Sequence, residues 1–298
     1  MVIPGFLLRK TNLIGGDGKV SKGLSDIVIY IAQPAMIIYG YIIDYNREVI
    51  INCLGVLICS IIAHFFFYGI SMLLYKKEEQ SKQTVLRFAT IFSNAGFMGI
   101  PLIESLLGPT AAVYASIYII SFNLFCWSIG CMLYTGDKKY VSVKKILINP
   151  ATIPTFIGLI FFLLPINSYV PTVLYDGLGM LKSTVAPLSM MVIGIRLAEC
   201  DFKSSFKDKN LPLFLFVRMM LFPAAVWAFM KLLSVCGIYS SEISMTVMLI
   251  SASTPAATMA CMFAEKFGGD AVYASKIVSV STIISILTMP IMALLLKI

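Results

Sequence analysis

The chain is a succession of apolar stretches, most of them long enough to cross a lipid bilayer, joined by short polar connectors. A spanning helix needs about 20 apolar residues. Convincing stretches run near 24–43, 48–75, 110–134, 150–166, 173–198, 211–236 and 270–296. Two more, near 84–107 and 241–265, are long enough but carry Gly, Pro and polar residues at their centres, and Met1–Leu8 is a fragment of a tenth. The stretches follow one another too closely to leave room for a separate soluble module. Of the 298 residues, 59% are hydrophobic and only 13% charged, against about 25% charged in a soluble domain. The excess apolar surface must face lipid, so the expected fold is an all-α polytopic membrane protein with ten transmembrane helices, the first truncated.

The net charge of +8 sits in short loops between apolar runs, which suits an anionic membrane surface and not a nucleic acid. One set of loops holds Arg9, Lys10, Lys19 and Lys22, then Lys76, Lys77 and Lys82, then Lys138, Lys139, Lys144 and Lys145, then Lys203, Lys207 and Lys209, and finally Lys266. The alternate loops are short and contain only Arg47. The positive-inside rule assigns the first set to the cytoplasm. A multi-pass protein of the cell membrane with both termini extracytoplasmic is therefore expected. The seven cysteines, Cys53, Cys59, Cys126, Cys131, Cys200, Cys236 and Cys261, form no Cys-x-x-Cys and read as free thiols.

The two halves resemble each other. Ala112-Val-Tyr-Ala-Ser116 recurs as Ala271-Val-Tyr-Ala-Ser275, each time just after an interrupted helix, and Pro34 with Gly40 has a counterpart in Pro187 with Gly194. The expected division is 1–134 for a first five-helix repeat, 135–149 for a basic cytoplasmic loop and 150–298 for a second repeat. Because five is odd, the second repeat enters the membrane inverted. Inverted repeats with paired broken helices point to a secondary transporter. The first helix has only eight residues before Arg9, a rise of about 12 Å, so an upstream start is expected. An in-frame stop just before the Met1 codon would exclude it.

The breaks carry the chemistry. Ser93-Asn-Ala-Gly-Phe-Met-Gly-Ile-Pro101 and Ser251-Ala-Ser-Thr-Pro-Ala-Ala-Thr258 lie mid-segment, where unwound backbone survives only if protein or a water-filled cavity satisfies it. Pro101 is expected to start the second half of the fourth segment. Thr254 is expected to cap, and Pro255 to start, that of the ninth. Both half-helices then aim positive N-terminal ends at the midplane, a site for a carboxylate, with the Asn94 side chain adding hydrogen bonds. Ordinary proline kinks are the alternative.

At these residues a family resemblance appears. Asn94-Ala-Gly-Phe-Met-Gly-Ile-Pro-Leu-Ile103 resembles the fourth-helix signature of the auxin efflux carrier family, plant PIN carriers and bacterial malate-permease-like proteins included. Thr254-Pro255 with Met262-Phe-Ala-Glu-Lys-Phe267 resembles its ninth-helix pattern, Gln33-Pro-Ala35 its second-helix motif, and Gly5-Phe-Leu-Leu-Arg-Lys10 its first-helix ending. The resemblance covers essentially the whole chain from Gly5. It implies fourth and ninth helices crossing at their breaks in two inverted repeats, and a small organic anion, auxin-like or a dicarboxylate, bound beside the crossing near Asn94. The substrate-binding set expected is Gln33, Asn94, Gly96, Gly99, Ile100, Pro101, Ser253, Thr254 and Pro255. The long cytoplasmic loop of the plant carriers is reduced here to about 135–149, and its regulation does not carry over.

Other polar residues lie inside the apolar segments. His64 reads as a neutral histidine bonded to a neighbouring helix, or as a proton relay. Glu104 carries a coupling proton, lines the exit or simply lies at a solvated helix end. Lys182, paired with Asp176, is a cavity-facing candidate. Lys276 and Arg218 are expected to snorkel, with attraction of an anion to the inner vestibule as the alternative. Asn123, Ser279 and Ser281 face the cavity or bond between helices. Expected partners are an organic anion, a coupling proton or sodium ion, and the bilayer, with no cofactor or metal; a homodimer is left open. A sodium symporter or ion antiporter of this architecture is an alternative, although an antiporter should carry an aspartate at a break, which neither Asn94 nor Thr254 has beside it. A non-transporting ligand sensor is another. An enzyme would need an acid pair, a nucleophile–base pair or a metal cluster in the membrane, and an ATP-driven pump a phosphate-binding loop; the sequence offers neither.

Overall fold

Helices form where the apolar runs are, and the polar connectors and prolines set their ends. The computed structural model describes residues 2–14, 19–137, 144, 148, 150, 152–164, 169–199 and 208–295. In chain order the helices are α1 (Val2–Lys10), α2 (Lys19–Tyr41), α3 (Arg47–Leu73), α4 (Gln80–Ile91), α5 (Ala95–Leu107) and α6 (Pro109–Thr135). There follow α7 (Thr152–Leu163), α8 (Thr172–Ser183), α9 (Val185–Glu199), α10 (Leu211–Val235), α11 (Glu242–Ser253), α12 (Met259–Phe267) and α13 (Ala271–Leu295). Six spans among the described residues are long and apolar enough to cross a membrane, α8 and α9 together making one of them. This is the make-up of a polytopic membrane protein. Most of the basic connector 135–149 lies outside the described residues, as do Cys200, Lys203 and Lys207; Cys53, Cys59, Cys126 and Cys236 are free thiols.

Proline placement explains a recurrent irregularity. Five-residue π turns at Val28–Ala32, Ala95–Gly99 and Val217–Leu221 each end two residues before a proline, namely Pro34, Pro101 and Pro223. A proline inside a helix lacks the N–H for the carbonyl four residues back and clashes with it. Widening the preceding turn to i→i+5 bonding relieves that conflict. The Ile100 N–H accordingly donates to the Ala95 carbonyl, five residues back. Pro101 is thus carried inside α5 and does not start it, contrary to expectation.

The helices pack as two groups. In the first, α1 lies on α9 and the C-terminal half of α2 on α7 and α8. Small residues make this approach close: a Cβ on Gly194 would fall 2.0 Å from the Val2 carbonyl oxygen, and one on Gly5 2.2 Å from that of Met191. In the second, α3 packs on α6, α10 on α11 and α12 on α13. His64 sits fully buried in this group, its ring stacked on Phe125 with centroids 5.1 Å apart. Its Nδ1 is 2.7 Å from the Ser60 carbonyl one turn back, so it bonds to its own helix and not to a neighbour. The groups meet along α2 and α6, where the hydroxyls of Tyr41 and Ser116 are 3.2 Å apart, and where α9 faces α5.

Candidate anion site at the crossed breaks

The fourth and ninth apolar segments are both broken, as α4/α5 and α11/α12, and the breaks touch. The Asn94 N–H donates to the Pro255 carbonyl at 2.8 Å, and the Ala257 N–H to the Phe92 carbonyl at 2.9 Å. Together these form an antiparallel bridge between Ser93 and Ala256. Groups that would otherwise be unsatisfied in the apolar interior thus satisfy each other. The Ala256 N–H is taken by the Ser281 hydroxyl of α13 at 3.2 Å.

Two expected helix starts shift. Thr254 has extended backbone, φ −65° and ψ 151°, and ends α11, in keeping with the bias of a residue before proline away from the helical region. Its hydroxyl bonds back to the Ser251 carbonyl. Pro255 lies in the linking stretch, and α12 starts at Met259 with Thr258 at its N-cap. For α5 the N-cap is Asn94, whose carbonyl accepts from the N–H groups of Met98 at 3.0 Å and Gly99 at 3.2 Å. At the start of α12 the N–H groups of Ala260 and Cys261 are taken by the carbonyls of Ala257 and Thr258, so only the earliest N–H groups of each helix are donors left over; each N-terminus carries about half a positive charge.

Accessibility separates the expected site residues. Gly96, Phe97, Thr258 and Met259 are partly exposed, whereas Gly99, Ile100, Pro101, Ser253, Thr254 and Pro255 are buried. The second group are framework: Gly99 packs under Thr254, where an added Cβ would lie 3.3 Å from its methyl carbon, and the Ser253 hydroxyl bonds to the Leu249 carbonyl of its own helix. The Gln33 amide reaches from α2 to donate to the Gly96 carbonyl at 3.0 Å. The Asn94 side-chain amide makes no hydrogen bond among the described residues and remains available. An apolar patch of Met98 and Ile193, with Phe6, Phe97, Ile283 and Met289 against it, flanks the same place. Thr258 was missed by sequence reasoning, which placed the cap at Thr254; its signal was the Ala-Ala spacer after Pro255.

The outlying candidates divide. Lys182 of α8 pairs with Glu104 of α5 at 2.8 Å, not with Asp176, each side chain 18% exposed. The Lys182 ammonium also lies 4.3 Å from the centroid of the Tyr39 ring, which stacks on Tyr175 at 4.6 Å. This cluster ties the two groups together about two turns beyond Gly96. A double-mutant cycle on Glu104→Gln and Lys182→Met is expected to give a coupling of about 1 kcal/mol in thermal stability; additive effects would show that the pair contributes nothing. Lys276 is half-buried near the start of α13, five residues before Ser281. His64 belongs to the aromatic interior between α3 and α6. Arg218 does not snorkel: it is fully buried, and its Nη2 donates to the carbonyls of Ala252 and Thr254, both at 3.0 Å.

Residues 1–293 match the family described as membrane transport protein. The chain belongs to this family. It is the auxin efflux carrier family to which the motifs pointed. Among curated relatives, an uncharacterized transporter of Methanothermobacter thermautotrophicus is 23% identical over 99% of this chain and 95% of its own length. An uncharacterized transporter of Methanocaldococcus jannaschii is 24% identical over 90% of this chain and 87% of its own. A Rhizobium meliloti protein named "Putative malonate transporter" is 22% identical over 97% of this chain and 90% of its own. As a member of a membrane transport family with several spans, the chain is a multi-pass membrane transporter.

Proposed function

We propose that the chain is a secondary carrier of a small organic anion, a monocarboxylate or a dicarboxylate, that works by alternating access. The observation that carries this reading is the crossing itself. The breaks that lead into α5 and α12 are bonded to each other, the first turn of each helix is partly exposed, and a free amide, Asn94, stands at the start of α5. No acidic side chain stands among the crossing residues 92–99 and 251–259. Unpaired amide donors and positive dipole ends favour a carboxylate, and the neighbouring patch of Phe97, Met98 and Ile193 suits an apolar substrate body. Gln33, Asn94, Gly96 and Thr258 are the proposed contacts. Gly99, Ile100, Pro101, Ser253, Thr254 and Pro255 shape the backbone that presents them.

In this reading ten transmembrane segments form two inverted repeats, 1–134 and 150–298, with the basic connector 135–149 in the cytoplasm and both termini outside. The group of α1, α2, α7, α8 and α9 is the scaffold, and the group bearing the breaks moves against it. The Glu104–Lys182 pair spans the boundary at the extracytoplasmic end and must part when the site opens outward. Malonate is the first substrate to test, because one relative is named for it. Counterflow in proteoliposomes preloaded with unlabelled malonate or a monocarboxylate is the experiment. Transient accumulation of labelled anion is expected; saturable binding without counterflow would make the protein a sensor, and neither would remove the anion reading.

A further inference from the structure

Arg218 is the largest fully buried side chain among the described residues. It stands in the π turn Val217–Leu221 of α10, two turns into a helix that is apolar before it. Its Nη2 bridges the carbonyls of Ala252, in the last turn of α11, and of Thr254, the residue that ends it. Its Nε and Nη1 have no hydrogen-bond partner, and neither has Nε2 of His64, a neighbour within reach of its charge. No carboxylate pairs with it among the described residues.

The C-terminal end of a helix carries freed carbonyls and about half a negative charge, and in broken-helix carriers such ends, with unwound carbonyls, are where coupling cations are held. Here a guanidinium already occupies that position. A buried charge without a counter-ion is also costly, and this one stands behind the linker 254–258 that leads to the first turn of α12.

We propose that Arg218 is a tethered cation of the crossing: it holds the end of α11 in place of a free ion and supplies the positive charge that the bound anion neutralises. The inference rests on the anion reading above and adds its source of charge selectivity. It makes Arg218 a positioning and specificity residue that acts through the Ala252 and Thr254 carbonyls and through its field, without touching the substrate.

The test is malonate binding to the full chain in nanodiscs, with sodium or with choline as the only added monovalent cation. Wild type is expected to bind equally well in both. Arg218→Ala is expected to bind at least about tenfold more weakly, with millimolar guanidinium, but not choline, restoring affinity. Arg218→Lys keeps the charge and is expected to retain most of it. Where Arg218→Ala yields no monodisperse protein, Arg218→Gln decides, since its amide still serves the carbonyls without the charge and should bind weakly. Wild-type binding that requires sodium overturns the proposal. So does undiminished affinity in folded Arg218→Ala or Arg218→Gln, or a loss that guanidinium does not reverse. An absence of any saturable carboxylate binding by wild type overturns the anion reading itself, which distinguishes the two failures.

Discussion

Asn94→Asp is expected to abolish high-affinity anion binding while leaving a well-folded protein. The Asn94 side chain makes no capping bond and aspartate has the same shape, so α5 should start at the same place. The change puts a carboxylate at the bonded breaks, just before the partly exposed first turn of α5, facing the proposed anion with a like charge. Such juxtapositions cost several kcal/mol, or about 100-fold in affinity and more. Asn94→Ala removes only one or two hydrogen bonds to a charged ligand and is expected to cost about 10- to 100-fold. Titration of labelled malonate on purified variants, beside their melting curves, checks both. Affinity unchanged in Asn94→Asp would place the anion elsewhere.

Gly194→Ala is expected to give the largest loss of stability of any single methyl addition in the first group of helices. Its new carbon would lie 2.0 Å from the Val2 carbonyl oxygen and 2.8 Å from the Phe6 nitrogen. Both are backbone atoms, so no rotamer change relieves the overlap, and α1 must move off α9. Overpacking of this kind costs up to about 3 kcal/mol, occasionally more. Gly5→Ala should behave alike, since it meets the Met191 backbone at 2.2 Å. Gly23→Ala and Gly69→Ala, with nothing within 4 Å of the added carbon, should melt within error of wild type or slightly above it. Thermal denaturation in one detergent, followed by tryptophan fluorescence, separates the two classes. Equal midpoints for Gly194→Ala and Gly69→Ala would mean that the α1–α9 contact is not formed.

Apolar length, and the glycines and prolines interrupting it, made the course of the chain readable from sequence. The breaks fall at Phe92–Asn94 and Thr254–Thr258, inside the stretches where Gly96, Pro101 and Pro255 had announced them. What failed was local and had local causes. Proline favours a first helical position, and from sequence Pro101 and Pro255 both read that way. At Pro101 a π turn absorbed the ring within the helix, and at Pro255 the restriction on the preceding residue left Thr254 extended. Both errors displaced the helix starts toward the C-terminus in one case and the N-terminus in the other, and hid Thr258.

Long-range pairing was less legible. Glu104 and Lys182 are 78 positions apart in the sequence, so nothing local signals that they meet at 2.8 Å. Arg218 reads as a snorkelling residue because its partners are carbonyl oxygens, which every residue possesses and which become available only where another helix stops. Its one local mark is Pro223, five residues on, which stands to the π turn Val217–Leu221 as Pro34 and Pro101 stand to theirs.

The bridge between Ser93 and Ala256 has a mechanical consequence. Two backbone hydrogen bonds of opposite direction, Asn94 to Pro255 and Ala257 to Phe92, rivet the broken rods at one point. Neither rod can slide or tilt there without dragging the other, so in the carrier proposed above the two breaks would move together as one piece. Flexing must be taken up instead at the α2–α6 and α5–α9 faces, where side chains and not main chains hold the halves of the molecule together.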